Sequence, residues 1–223
     1  MNIVRDFVSF VIRVWTGIVC RIELKPLAKV PVHGPLILTV NHITSLEVPL
    51  LFAYLQPRKM IGLAKIETWD NKFMAWLFDL WEAIPIRRGE ADLDAIRACL
   101  KVLAAGDMLG VAPEGTRSYS GRLQRGQPGI AMIALRSGAP IQPIAHWGGE
   151  DLQANLKRFK RTPFHIRVGK PFVLHAGDVK VNGEIRQAMA DEIMYQIALL
   201  LPPDYRGDYS DCESFVPKYI HFV

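Results

Sequence analysis

Leu36-Ile37-Leu38-Thr39-Val40-Asn41-His42-Ile43-Thr44-Ser45-Leu46-Glu47 is the stretch that decides how this chain folds. Its first five residues read as a buried strand, and the apolar run stops abruptly at a polar Asn-His pair. An α/β sheet presents chemistry in this way, at the carboxyl edge of its strands. Glu47 follows His42 by five residues in an HX4E pattern. On a continuous helix that spacing would place the two side chains on different faces, so the pair requires a turn between them. Thr44 and Ser45 are good turn and N-cap residues, and a helix is predicted to begin near Leu46. A carboxylate so placed orients the imidazole and holds the charge it gains on taking a proton. Taken alone, a His–acid pair is more often structural than catalytic, and the rest of the chain has to decide.

Outward from this stretch, strands and helices alternate. A helix is predicted to Leu55, a strand over Lys59–Ala64, a helix rich in Phe and Trp over Asn71–Trp81, and a short strand over Ala83–Ile86. Asp92 opens a helix with Leu93, Ile96, Leu100 and Leu103 at core spacing, stopped by Gly106. Met108–Ala112 reads as a strand broken by Pro113-Glu114-Gly115-Thr116-Arg117. A helix over Pro128–Ser137, a strand over Ile141–His146, edge strands over Ile166–Val168 and Phe172–Leu174, and a long helix over Glu184–Leu201 complete the pattern. Nothing firm is assigned after Pro202. Alternating β and α units predict a single α/β domain whose mostly parallel central sheet is flanked by helices.

Two further loops then fall at the carboxyl ends of predicted strands. Arg87 and Arg88 follow Ile86, and Glu114-Gly115-Thr116-Arg117 follows Ala112. Strand ends of one parallel sheet converge on one crevice, which brings His42, Arg88 and Arg117 within reach of one site. Two guanidiniums make a fork-shaped receptor for a phosphate monoester or a carboxylate. Gly115 lets the backbone approach a ligand closely, and Thr116 adds a hydroxyl. Glu114 would repel a phosphate, so its expected role is to orient an arginine or to accept from a substrate hydroxyl.

Composition agrees with one domain that buries a full core: 223 residues, 50% hydrophobic, with no internal repeat. The net charge of +5 and a pI near 9.2 favour an anionic partner. Cys20, Cys99 and Cys212 are odd in number, far apart and without metal-ligand spacing, as expected for reduced thiols in a cytoplasmic setting. No Cys-His pair or GxSxG elbow supports a covalent mechanism. His33, His146, His165, His175 and His221 share no ligand-like spacing and read as structural or surface residues. Lys157-Arg158-Phe159-Lys160-Arg161 is a basic run with an aromatic inside it. It lacks an accompanying nucleic-acid-binding motif, which leaves anionic lipid, donor phosphates or plain solvent as its neighbours.

The N-terminal segment is apolar, with a narrow polar stripe. Between Ile3 and Cys20, Arg5, Asp6, Ser9, Arg13 and Thr16 gather on one side of a helix, leaving Phe7, Phe10, Val11, Val14, Trp15 and Ile18 as a broad apolar face. Arg13 costs roughly 2.5–3.5 kcal/mol in mid-membrane, and the charge-free runs Phe7–Ile12 and Val14–Cys20 are too short to span a bilayer. No signal-peptide cleavage site follows. The segment reads as an interfacial helix lying on a membrane. The alternative is a helix packed on the domain's own core.

With these blocks in hand, the chain resembles the PlsC-type 1-acylglycerol-3-phosphate acyltransferase superfamily of glycerolipid acyltransferases. Asn41–Glu47 is similar to the family's NHxSxxD block and AIPIRR (Ala83–Arg88) to its strand ending in Asp-Arg. PEGTRS (Pro113–Ser118) is similar to its phosphate-binding block, and GAPIQPI (Gly138–Ile144) to its last, proline-containing strand. The resemblance runs from about Arg21 to Phe172. It implies direct acyl transfer from acyl-CoA or acyl-carrier protein to the hydroxyl of a lysophospholipid, 1-acyl-glycerol-3-phosphate, with no cofactor and no metal. It gives His42 the role of base and Glu47 that of its orienting acid. Arg88, Gly115, Thr116 and Arg117 hold the acceptor phosphate, Glu114 supports that site, and Asn41, Lys65 and Arg87 are additional candidates. Trp76 and Trp81 read either as an acyl groove or, more simply, as core.

The implied organisation is an interfacial helix over 1–22, an acyltransferase domain over 23–205 and a tail over 206–223. The implied location is peripheral, on the cytoplasmic face of a membrane, with a phospholipid surface as partner and no nucleic acid. Two departures from the family pattern matter. Glu47 stands where the family has Asp, and Arg87 stands where it has Asp before the arginine. They keep two further readings open: another lysolipid or amino-lipid acceptor, and a non-catalytic acyl- or lipid-binding homologue.

Overall fold

The computed structural model describes residues 3–87 and 92–223. Its strands are β1 (Cys20–Ile22), β2 (Leu36–Val40), β3 (Met60–Lys65), β4 (Ile84–Ile86), β5 (Met108–Val111), β6 (Ile141–Trp147), β7 (Thr162–Val168), β8 (Phe172–Leu174) and β9 (Ile220–Phe222). Its α-helices are α1 (Ile3–Val19), α2 (Glu47–Tyr54), α3 (Lys72–Leu80), α4 (Leu93–Ala104), α5 (Gly129–Ser137), α6 (Leu152–Lys157) and α7 (Gly183–Ala198). The helix starts follow capping chemistry. The side chains of Asn71, Asp92 and Asn182 accept backbone N–H groups in the first turns of α3, α4 and α7. Gly138 closes α5 in the left-handed conformation, at φ 63°.

β2 lies inside the sheet, between β5 and β6 and parallel to both. The order is β1-β7-β6-β2-β5-β3-β4, with β8 on β6 and β9 on β8. β3 is parallel to β5 and to β4, whereas β7 runs antiparallel to β6. Side chains of β2 alternate between two cores, as the period of two requires. Ile37 joins Leu109, Ile141 and Phe172 beneath α4, α5 and α7, while Leu36, Leu38 and Val40 join Met108, Ile144 and Phe164 beneath α2. Burial on both faces explains why β2 reads as an unbroken apolar run. The carboxyl ends of β2, β3, β4, β5 and β6 all emerge on one edge of this sheet.

The edge-strand reading is revised, the last segment gains an assignment, and the two tryptophans part ways. β7 is longer than predicted and internal, flanked by β1 and β6, and β8 is likewise flanked on both sides. Residues 206–223 pack onto the domain: Tyr209 and Cys212 are buried with Met194 and Ile197 of α7. The Glu192 carboxylate accepts the N–H groups of Lys218 and Tyr219 at 2.8 and 2.9 Å, which leads the chain into β9. Trp81 is core, stacked on Phe52 at 4.6 Å, whereas Trp76 is exposed.

α1 packs with its polar stripe inward. Arg13 donates through Nε and Nη2 to the Ala53 carbonyl, at 2.9 and 2.6 Å, and so caps the end of α2. The Thr16 and Tyr54 hydroxyls lie 3.1 Å apart, and Gln56 Nε2 donates to Ser9 Oγ at 2.8 Å. The apolar face is left outside: Phe7, Phe10 and Ile18 are 65%, 62% and 67% exposed. Packing of that face on the domain's own core is therefore ruled out. No helix among the described residues is long and apolar enough to cross a membrane.

Candidate active site

At the end of β2 the chain leaves the sheet at Asn41 and turns before α2 begins at Glu47. His42 lies in this turn, and the turn lets it face Glu47. His42 Nδ1 is hydrogen-bonded to Glu47 Oε1, and the Thr44 hydroxyl donates to Glu47 Oε2. Thr44 Oγ1 also accepts the Leu46 N–H at 3.0 Å, so Thr44 braces the carboxylate instead of capping the helix. Because Nδ1–H is held by the carboxylate, the His42 Nε2 lone pair is the one left to accept a proton. The ring is 21% exposed while Glu47 is 1% exposed, so the base is open and its acid is closed. Burial pushes the Glu47 carboxyl up, but its interactions with His42, His146 and Thr44 outweigh this and hold it below the ordinary glutamate value.

The backbone of His42 is clamped by the loop after β5. Its N–H donates to Glu114 Oε1 at 2.7 Å, and its carbonyl accepts from Ser118 N–H at 2.7 Å. Glu114 Oε2 takes the Gln124 N–H at 3.0 Å. Glu114 thus pairs with no arginine among the described residues; it is buried and anchors the backbone of His42. Burial raises its carboxyl above the ordinary value. Gly115 makes the turn at φ 70°, with its N–H bonded to the Ala112 carbonyl at 3.0 Å. A Cβ there would meet Gln127 Cγ at 3.0 Å in a conformation that favours glycine.

Asn41 ties the end of β2 to the end of β6. Its Nδ2 donates to the His146 carbonyl and its Oδ1 accepts the His146 N–H, both at 2.9 Å. His146 Nε2 reaches the Asn41 carbonyl at 2.8 Å and lies 4.0 Å from Glu47 Oε2. That contact assigns a ring proton to Nε2, and burial lowers the pKa of the ring. The His146 ring stacks on Phe164 at 5.2 Å. Sequence reasoning did not find the roles of Thr44, Ser118, Gln124 and His146. Thr44 and Ser118 lie in blocks the sequence singles out, the His42 heptad and PEGTRS, whereas Gln124 and His146 carry no signal.

The basic candidates spread along the same edge. Thr116 and Arg117 are exposed just beyond Gly115, and the Arg117 guanidinium lies over the Tyr119 ring at 5.8 Å. Lys65 ends β3 and pairs in register with Ile86, next to exposed Arg87. Asp92 accepts the Arg87 N–H at 2.9 Å, which fixes the end of β4 to the start of α4. β3 and β4 lie two and three places from β2, about 10 and 14 Å at about 4.8 Å per strand. Arg88 lies outside the described residues. No cluster of three His, Cys, Asp or Glu side chains suited to a metal occurs among the described residues. All three cysteines are buried, and burial pushes the Cys99 thiol up to about 12, the opposite of a nucleophile's requirement. A cleft lined by His33, Arg58, Lys59 and Asp107 opens beyond the amino ends of β2, β3 and β5, at the far edge from His42.

A histidine–carboxylate pair at the end of an inner strand, clamped by a glycine-turned loop that leads into an exposed arginine, can take up a proton beside a basic group. The Acyltransferase family model matches residues 21–147, more than half of the chain, and the protein belongs to that family. The chloroplastic 1-acyl-sn-glycerol-3-phosphate acyltransferase BAT2 of Brassica napus is 24% identical over 211 residues, covering 87% of this chain and 56% of that protein. The lyso-ornithine lipid O-acyltransferase of Pseudomonas aeruginosa is 28% identical over 155 residues, covering 61% of this chain and 59% of that protein. The chain therefore spans a little over half the length of these relatives. The crystal structure of the 1-acyl-sn-glycerophosphate (LPA) acyltransferase PlsC from Thermotoga maritima superposes with a TM-score of 0.60 at 19% identity, covering 88% of this chain and 81% of that one. At that identity the match speaks for the fold.

Proposed function

We propose that this protein transfers a fatty acyl group from acyl-CoA or acyl-carrier protein to the free hydroxyl of 1-acyl-glycerol-3-phosphate, giving phosphatidic acid for phospholipid synthesis. The observation that carries this reading is the oriented His42–Glu47 pair with Nε2 open. His42 Nε2 takes the proton of the acceptor hydroxyl as its oxygen attacks the thioester carbonyl. Glu47, held by Thr44, stabilises the imidazolium. As the tetrahedral intermediate collapses, the C–S bond breaks and the imidazolium returns the proton to the departing thiolate. The step needs no metal, cofactor or acyl-enzyme.

Arg117 with Gly115 and Thr116 receives the acceptor phosphate, with Lys65 and Arg87 as further basic groups along the edge. The exposed apolar face of α1 lies in the interfacial layer of a membrane, on the cytoplasmic side, where acceptor and product both reside. A same-fold transfer to a phosphate-free lysolipid is the second reading, favoured by the likeness to a lyso-ornithine lipid O-acyltransferase. The test is thioester-dependent acylation of an acceptor panel. The phosphate-bearing acceptor should turn over fastest, and Arg117→Ala should raise its KM alone. Turnover confined to phosphate-free acceptors would favour the second reading, and turnover on none would overturn both.

A further inference from the structure

We propose that residues 157–161 form a binding site for anionic phospholipid head groups on the active-site edge, a refinement that rests on the membrane reading of α1. The loop joins α6 to β7, and β7 begins where β6 ends, because the two are antiparallel with Trp147 opposite His165. The loop therefore stands on the edge that carries His42. It is fixed in place twice over. The Asn155 carbonyl accepts the N–H groups of Arg158 and Lys160 at 3.0 and 2.9 Å, which folds the segment tightly. Arg161 Nη2 donates to the carbonyls of Gly17 and Cys20 at 2.7 and 2.5 Å, which welds the loop to the end of α1 beside exposed Ile18.

What the fold presents there is unusual for a solvated loop. Phe159 is held at φ 53°, a conformation uncommon outside glycine, and is fully exposed. Lys157, Arg158 and Lys160 flank it in sequence, all exposed, and none is ion-paired among the described residues. The nearest acid along β1, Glu23, is already taken by His165 and Arg167 at 3.0 and 2.7 Å. An exposed aromatic residue flanked in sequence by three exposed cations, on a loop bonded to the end of α1, complements a bilayer whose surface is negative. The ring enters the interface and the cations meet phosphates.

The experiment is sedimentation of the full chain with vesicles of phosphatidylcholine alone and of phosphatidylcholine mixed with phosphatidylglycerol. The wild type should prefer the anionic vesicles, and the preference should fade with salt. The triple variant Lys157→Gln, Arg158→Gln, Lys160→Gln should lose about five-fold in anionic partition per charge, about 100-fold in all, with neutral partition unchanged. Phe159→Ser should weaken both. Wild-type anionic partition in the triple variant overturns the loop assignment and leaves the α1 reading standing. Phe10→Glu with Ile18→Glu should release the protein from both vesicle types; if it does not, the membrane reading itself fails, and the loop proposal with it. Intact vesicle binding with lost saturation by acyl-carrier protein would assign the loop to that acidic donor and overturn the lipid assignment.

Discussion

Replacing Glu47 by glutamine should remove the charge behind His42 while leaving its scaffold in place. Glutamine has the same length, so its amide oxygen can accept from His42 Nδ1 and its amide nitrogen can face Thr44 Oγ1, which already accepts the Leu46 N–H. What disappears is a unit negative charge beside the imidazolium. At about 4 Å and an effective dielectric constant of about 20, that charge is worth about 4 kcal/mol. The His42 ring is 21% exposed, and solvent screening lowers the figure to about 3 kcal/mol, or about 100-fold in rate.

The assay is steady-state release of the donor thiol with 1-acyl-glycerol-3-phosphate as acceptor. Because the charge acts only once the proton has moved, kcat should carry the loss and both KM values should change little. A Glu47→Gln kcat within ten-fold of wild type would refute the reasoning. A stability arm checks the same charge. The Glu47 carboxyl sits below its ordinary value, so its contribution is present above about pH 4.5 and is lost as pH falls through the lower folded value. The stability difference between wild type and Glu47→Gln should therefore shrink in acid.

Glu114→Ala leaves the part-buried N–H groups of His42 and Gln124 without their acceptor, which should cost about 2 kcal/mol in denaturant unfolding. It should also lower kcat about 10- to 100-fold through displacement of His42; a higher acceptor KM with unchanged kcat would place Glu114 at the substrate instead. Burial raises the Glu114 carboxyl, so its contribution is greatest below about pH 4.5 and declines as pH rises through the higher folded value, a slope that Glu114→Gln should lack. Gly115→Ala forces a Cβ onto a φ of 70° against Gln127, and thermal unfolding should report a loss of about 1–2 kcal/mol with a raised acceptor KM.

What the sequence makes legible here is local. The His42–Glu47 pair is five residues apart, and the turn it demands, the buried strand before it and the glycine turn at 115 can all be read from neighbours in the chain. The clamp on His42 cannot: Glu114 meets its N–H across 72 residues, and Asn41 meets His146 across 105. Such contacts leave no periodic trace, so Glu114 reads as an arginine partner when it is a backbone anchor. The two faces of α1 are legible from its period, but not which one meets the domain. That is decided by the Ala53 carbonyl, which accepts from Arg13, and by the Tyr54 hydroxyl, which is hydrogen-bonded to Thr16. The C-terminal segment has no pattern of its own because Glu192, in α7, supplies its anchor. The basic run at 157–161 is visible in the sequence, but its bond to the end of α1 is not.

The chemistry depends most directly on the proton acceptor. His42→Gln keeps a hydrogen-bonding side chain of similar size in the turn while removing the titrating ring, and the measurement is its kcat for thioester-dependent acylation of 1-acyl-glycerol-3-phosphate. A general base of this kind contributes about 10²- to 10⁴-fold, so a loss of that size at nearly unchanged KM is predicted. A His42→Gln enzyme with wild-type kcat would contradict the assignment of His42 as the base.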